Sequence, residues 1–411
     1  MEIPTHIPEI TLRWTNDTPS SVLKYVLQCE KNDVNKRIAF TNDDRRIEAY
    51  TKICGFSYED AVNYTLVGCN EPAMLGGVCA STSHANLAHS VETVMHCRAE
   101  EIVDAKTFDE FYSVFEDQLH SDLDKIYRYD DLFNLRRARD INYVSCLFMN
   151  GCIEKAETAT RGGVNCAVST VMFLGNVTVM DSLAIIKQFV FDEKRVTMRE
   201  LLDALHADWN GFEELRVRIL QLGDFFGNDG DISNYVAKRL YDSIYEYIKD
   251  KRTALGYPIL IGDHTGYAMH FKFFGEATKA TPDGRYAGDY LSYGIFQTGG
   301  KDRNGLAALM NSITKFDSHG ISSATVTNFN LDPSYIENED SFEKTVLMLE
   351  TYLRNGGMHF QLNYTSKDAL LNARACPEKY ANMKVRVTGY SDYFVKLEAP
   401  IQDTVIRRYE R

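Results

Sequence analysis

Val385-Arg386-Val387-Thr388-Gly389-Tyr390-Ser391-Asp392-Tyr393-Phe394, close to the C-terminus, is a strand-like run interrupted by one glycine. Valine, threonine and aromatic residues favour a pleated, half-buried backbone, and glycine weakens it. A glycine there marks a bulge, a tight bend or a place where another group must reach the backbone. Glycine has one further chemical property. Loss of an α-hydrogen leaves a planar carbon radical delocalised over both flanking amides, with no Cβ to obstruct planarity. Taken alone, the run reads as a turn or bulge glycine.

Far upstream stands Val67-Gly68-Cys69-Asn70-Glu71-Pro72. In extended backbone, residues two apart point to the same side, which would let Cys69 and Glu71 face one substrate together. Pro72 biases Glu71 towards an extended conformation. A sulfur that attacks or abstracts, beside a carboxylate that moves protons, is a workable catalytic pair. Alone, the hexapeptide reads equally as a free cysteine packed as a small hydrophobe.

Together the two motifs resemble those of the glycyl radical enzymes. The C-terminal run is similar to that family's radical loop, R-V-x-G-Y-x-x-x-F, and the upstream run to the G-C-x-E-P loop of its dehydratase, lyase and decarboxylase branch. Thr281-Pro282-Asp283-Gly284-Arg285, Gly356 to Asn363, Asp181-Ser182-Leu183 and Gln402 to Ile406 also follow the family pattern, in the family's order, from about residue 10 onwards.

At 411 residues, with 44% hydrophobic and 25% charged content, the chain has the composition of an ordinary globular protein. A net charge of −13 argues against a nucleic-acid or anionic-membrane partner. No 18-residue apolar run and no basic-then-apolar leader are visible, so neither a membrane span nor a secretory signal is expected, and a cytoplasmic location is. The nine cysteines include no CxxC pair and read as reduced thiols. His84, His89 and His96 lie near Cys79 and Cys97 in a spacing that fits no zinc template, so no metal is expected.

Apolar periodicity predicts a strand at 10–14, a helix opening at Pro19-Ser20-Ser21, a helix near 45–54, a strand at 64–67 and almost continuous helix over 86–150. Further helices are expected at 179–191, 197–222, 231–253, 339–355 and 365–374, with strands at 257–261, 269–274, 323–329, 358–363 and 384–388. Such alternation indicates an α/β architecture. The looser stretch 275–304 holds the only candidate boundary, near residue 281. It divides the chain into 1–280, carrying the cysteine loop, and 281–411, carrying the glycine.

The resemblance implies half of a ten-stranded barrel surrounded by helices, in which the two loops meet at the centre. Family members are about twice this length, and the chain starts where the second half of the barrel would begin. A partner supplying the first half, self-assembly and a truncated gene product all remain open; a homodimer is also implied. By resemblance, Gly389 stores a radical installed by a separate iron–sulfur activating enzyme that uses S-adenosylmethionine, and this chain itself holds no cofactor. The Gly389 radical takes the hydrogen atom of the Cys69 thiol, the thiyl abstracts hydrogen from a small organic substrate, and Glu71 acts as base, its pKa raised by burial. Arg386 and Tyr390 position the loop. No Lys or Arg stands within seven residues of Cys69, in keeping with a protonated thiol. The acyltransferases of the family carry two adjacent cysteines, whereas Asn70 follows Cys69 here, which disfavours formate acetyltransferase chemistry. Asn70 also departs from the apolar residue common in glycerol and choline enzymes. A radical-repair subunit is the main alternative, and a cysteine hydrolase using Cys69 with His84 a weaker one.

Overall fold

Parallel strands need long crossovers, and this chain supplies a helix or several between nearly every pair. The computed structural model describes residues 10–409 except 34, 69, 264–269, 293, 296–300, 302 and 317–325. In chain order its strands are β1 (Ile10–Trp14), β2 (Ile38–Asn42), β3 (Tyr64–Val67), β4 (Glu71–Met74), β5 (Val78–Asn86), β6 (Ala167–Leu174), β7 (Ile259–Gly262), β8 (Asn328–Leu331), β9 (His359–Tyr364), β10 (Lys384–Arg386) and β11 (Ser391–Tyr393). Among the described residues they form two sheets, β1-β2-β9-β8 and β5-β6-β7, and two hairpins, β3-β4 and β10-β11.

Helix Ser20–Asn32 carries the parallel crossover from β1 to β2, and helix Glu339–Arg354 the one from β8 to β9. The two pairs meet antiparallel where Phe40 faces Phe360, with ring centroids 4.4 Å apart. In the second sheet all pairing is parallel, across helix Phe108–Arg137 and then helix Asp231–Ile248. Several helices begin on side-chain caps: Thr107 accepts from Glu110 N, Asn338 from Ser341 N, and Thr197 with Glu200 forms a capping box.

Strand period sorts the side chains of the first sheet. Phe40, Phe329, Leu331, Phe360 and Leu362 join the main apolar core. The alternate residues Thr41, Asn328, Asn330, His359, Gln361 and Asn363 are polar, yet all are buried. A sheet that buries amides on one face must satisfy them there, and the glycine turn supplies partners for Asn328 and Asn363.

One sequence expectation needs correction. Residues 269–274 were expected as a strand, but His270–Glu276 is a helix, and Met269 lies outside the described residues. Its Phe271 packs into an apolar cluster with Leu174, Val385 and Phe394, so tertiary contact overrides the strand-like composition. Around residue 281, Thr281, Asp283 and Arg285 are buried. Strands β2, β5 and β6 are additions that periodicity did not reveal.

Candidate active site

The glycine run forms a hairpin, with Arg386 paired to Ser391 and Val387 N donating to Tyr390 O at 3.0 Å. Gly389 therefore lies in a tight turn and not within a strand, and it is buried. Val385 and Val387 point into an apolar cluster with Leu370, Phe394, Ile401 and Val405, while Arg386 and Thr388 are fully buried on the alternate side.

That alternate side meets β8 and β9. Asn363 accepts from Arg386 N at 2.8 Å and donates to Arg386 O at 3.2 Å, standing in for a paired strand residue. Asn328 Nδ2 donates to Val387 O at 3.3 Å and to Thr388 O at 3.2 Å. Arg408 donates to Arg386 O at 3.1 Å and also to Val387 O. Arg386 Nη1 makes a longer contact, 3.5 Å, with Gly389 O. Ser391 Oγ donates to Lys36 O at 2.7 Å and so ties the hairpin to the turn before β2.

The cysteine motif also forms a hairpin tip. Val67 pairs with Glu71, which leaves Gly68, Cys69 and Asn70 as the connection. Cys69 lies outside the described residues. Gly68 has φ +55° and Asn70 φ +75°, both left-handed, so the backbone is not extended through the motif. Strand period therefore does not put residues 69 and 71 on one side there. Glycine and asparagine are the residues that enter this region at least cost. Glu71 does begin a strand, as Pro72 predicts, and it is half-buried. Its Oε2 lies 2.7 Å from where a Cβ on Gly68 would stand, so the carboxylate folds back over the loop.

Tyr64 and Met74, at the base of this hairpin, cluster with Val168 and Leu260. The glycine hairpin clusters with Leu174, at the other end of the same strand β6. At about 3.3 Å per residue, those two ends of β6 are roughly 20 Å apart. Val67 and Gly68 at the cysteine tip are exposed, in contrast to the buried Gly389.

The three upstream histidines have separate partners. The His84 ring meets that of His270 at 4.5 Å, His89 contacts Glu92, and His96 bonds to Ala280 O. Burial, and then the nearby His270, lowers the His84 pKa to about 4. Among the described residues no group of three or more His, Cys, Asp or Glu is placed to hold a metal ion. Nor is any helix among them long and apolar enough to cross a membrane.

Residues 1–265 match the pyruvate formate lyase-like family, and residues 291–395, which include Gly389, match the glycine radical domain. This chain belongs to the glycyl radical enzyme family. This member of the family is 28% identical to the isethionate sulfite-lyase of Nitratidesulfovibrio vulgaris, over 99% of the chain and 51% of that protein. It is 27% identical to the trans-4-hydroxy-L-proline dehydratase of Clostridioides difficile, over 98% of the chain and 52% of that protein. In structure it resembles the glycerol-bound, B12-independent glycerol dehydratase of Clostridium butyricum, with a TM-score of 0.89, 28% identity and coverage of 98% of this chain and 52% of that one. This glycyl radical enzyme chain thus spans about half the length of the relatives it matches.

Sequence reasoning singled out Arg386 and included Asn363 in a family-like run, but missed Asn328 and Arg408. The missed signal is alternation: Asn328-Phe329-Asn330 and His359-Phe360-Gln361-Leu362-Asn363 place an amide or imidazole at every second position of an otherwise apolar strand.

Proposed function

We propose that this chain supplies the radical and thiol half of a glycyl radical lyase, of the dehydratase or decarboxylase type, acting on a small organic substrate. Gly389 stores the unpaired electron. Once the two tips, whose hairpins rise from opposite ends of β6, meet in the assembled enzyme, its α-carbon takes the hydrogen atom of the Cys69 thiol, which restores glycine and leaves a sulfur radical. That sulfur abstracts a hydrogen atom from a substrate carbon. Glu71 takes a proton from a substrate hydroxyl or carboxyl group. It returns that proton to the departing hydroxide, which leaves as water, to another leaving group, or to the product where carbon dioxide departs. The product radical then recovers its hydrogen atom from Cys69.

The observation that carries this reading is the pairing of two unlike hairpins on one chain. One buries a glycine whose turn is gripped by side chains. The other folds a carboxylate back over the glycine that precedes Cys69. The names of the relatives, lyases and dehydratases, support the same class. A pyruvate formate lyase-like region of 265 residues beside the glycine domain weighs against a repair subunit.

The functional division falls near residue 281, with the cysteine loop in 1–280 and the radical glycine in 281–411. The radical is installed by a separate iron–sulfur protein using S-adenosylmethionine, in the cytoplasm. A counterpart of the relatives' other half, joined to this chain or separate, covers the exposed cysteine tip, and the assembled enzyme is a dimer. The test is anaerobic activation with electron paramagnetic resonance. The wild type should give a doublet that Gly389→Ala lacks, and Cys69→Ala should keep the doublet but lose turnover. Turnover that survives Cys69→Ala would refute the thiyl step.

A further inference from the structure

A hairpin turn ordinarily satisfies its carbonyls from its own backbone or from water. Here four consecutive carbonyl oxygens, those of residues 386 to 389, all accept from side chains of buried residues. The donors are Asn328 on β8, Asn363 on β9, Arg386 within the hairpin and Arg408 beyond the last helix. Burying this many strong donors is costly unless each is bonded, so the turn and its donors form a matched set.

Two of these bonds have a special place. The carbonyl of Thr388 belongs to the peptide plane before the Gly389 α-carbon, and the carbonyl of Gly389 to the plane after it. Asn328 holds the first at 3.2 Å, and Arg386 touches the second at 3.5 Å. Delocalisation of a glycine α-carbon radical requires these two planes to be nearly coplanar. The amide orientation of Asn328 follows from its neighbours, because the reverse flip would set its oxygen against two carbonyl oxygens. In the observed orientation Oδ1 has no hydrogen-bond partner among the described residues, although it is buried. An unsatisfied buried acceptor is a cost, and here it is accepted so that the amide can donate to the turn.

We propose that Asn328 is a positioning residue for Gly389, fixing the Thr388–Gly389 peptide plane from β8 while Asn363 and Arg408 anchor the strand before it. The assignment rests on the reading of Gly389 as the radical site. The peptide plane before Gly389 is then held in one orientation before the radical forms and between turnovers.

Asn328→Asp is the sharp variant, nearly equal in shape and without a donor when ionised; Asn328→Ala is its companion. In the unactivated chain, hydrogen–deuterium exchange of the segment 384–393 should speed up about tenfold in both variants, with exchange elsewhere unchanged. After activation, the doublet should weaken and its α-hydrogen splitting should change, a signature that mere loss of stability would not produce. Measured against wild type at the same pH, acidification should partly restore slow exchange in Asn328→Asp, because a protonated carboxyl regains a donor, while the excess rate of Asn328→Ala persists. Wild-type exchange rates in both variants would overturn the proposal. A wild type with no doublet would instead count against the radical reading, and the exchange comparison would still decide the role of Asn328.

Discussion

Gly68 shows how much one missing Cβ can control. With φ +55° and the Glu71 carboxylate 2.7 Å from its vacant Cβ position, only glycine fits without moving the proposed base. Gly68→Ala should therefore displace a flexible carboxylate and leave the fold nearly intact, costing about 1 kcal/mol of backbone strain. Turnover should fall about tenfold or more, as an ångström of misplacement commonly does, and Glu71→Gln should lose at least as much. Steady-state rates beside thermal melts check this, and a Gly68→Ala enzyme of normal rate would exclude it. Asn70 has the same logic. A left-handed φ of +75° suits asparagine, which gives a backbone reason for a residue that the sequence marks only as a departure. Which residues are proposed to act at this tip was legible from their order. The left-handed path of the tip was not, because it depends on a hairpin register set by β3 and β4.

The turn between helix Ser20–Asn32 and β2 connects the N-terminal strands to the glycine hairpin. Asp33 accepts from Arg37, Lys36 stands over the Tyr364 ring at 5.1 Å, and Lys36 O receives Ser391 Oγ. Beneath them Glu30 is fully buried, and burial raises its pKa to about 8 despite the opposing charges of Lys36 and Arg386. A carboxyl with a raised folded pKa binds its proton more tightly when folded. Its contribution is complete below the unfolded value near 4.5 and is lost as pH rises to about 8. Denaturant melts should show stability falling across that window, by at most about 1.4 kcal/mol per pH unit from this group. Glu30→Gln should flatten the slope; an unchanged slope would mean that Glu30 is ionised in the fold. Asp181 and Asp263, each raised by burial to about 7, add slope of the same sign and set the residual in that variant. At this scale the sequence predicts strands and helices wherever polar alternation or capping is visible. It misses β6, whose eight residues are all buried and show no alternation, as parallel strands covered on both faces do.

Across the whole molecule, one apolar surface has nothing resting on it among the described residues. Tyr143, Val144, Leu147 and Phe148 are between 66% and 76% exposed, and Leu75, on the turn after β4, is 68% exposed. The two areas are stitched together, since Asn150 N donates to Gly76 O and Asn150 Nδ2 to Leu75 O. A strip of this kind at the base of the cysteine hairpin is expected to drive association in water. The double substitution Leu147→Glu with Phe148→Glu should raise the monomer fraction in sedimentation while changing unfolding stability by no more than about 0.5 kcal/mol. Unaltered self-association would show that the strip is inert. By itself the sequence determined the family and the candidate chemistry, a glycine in a radical-loop pattern and a cysteine before a carboxylate, because those features reside in residue identity and spacing. Only the tertiary structure decided what holds Gly389, since Asn328, Asn363 and Arg408 reach it from separate elements. Hydrogen bonds between residues 21 to 60 positions apart exist only once β8, β9 and the C-terminal helix have packed.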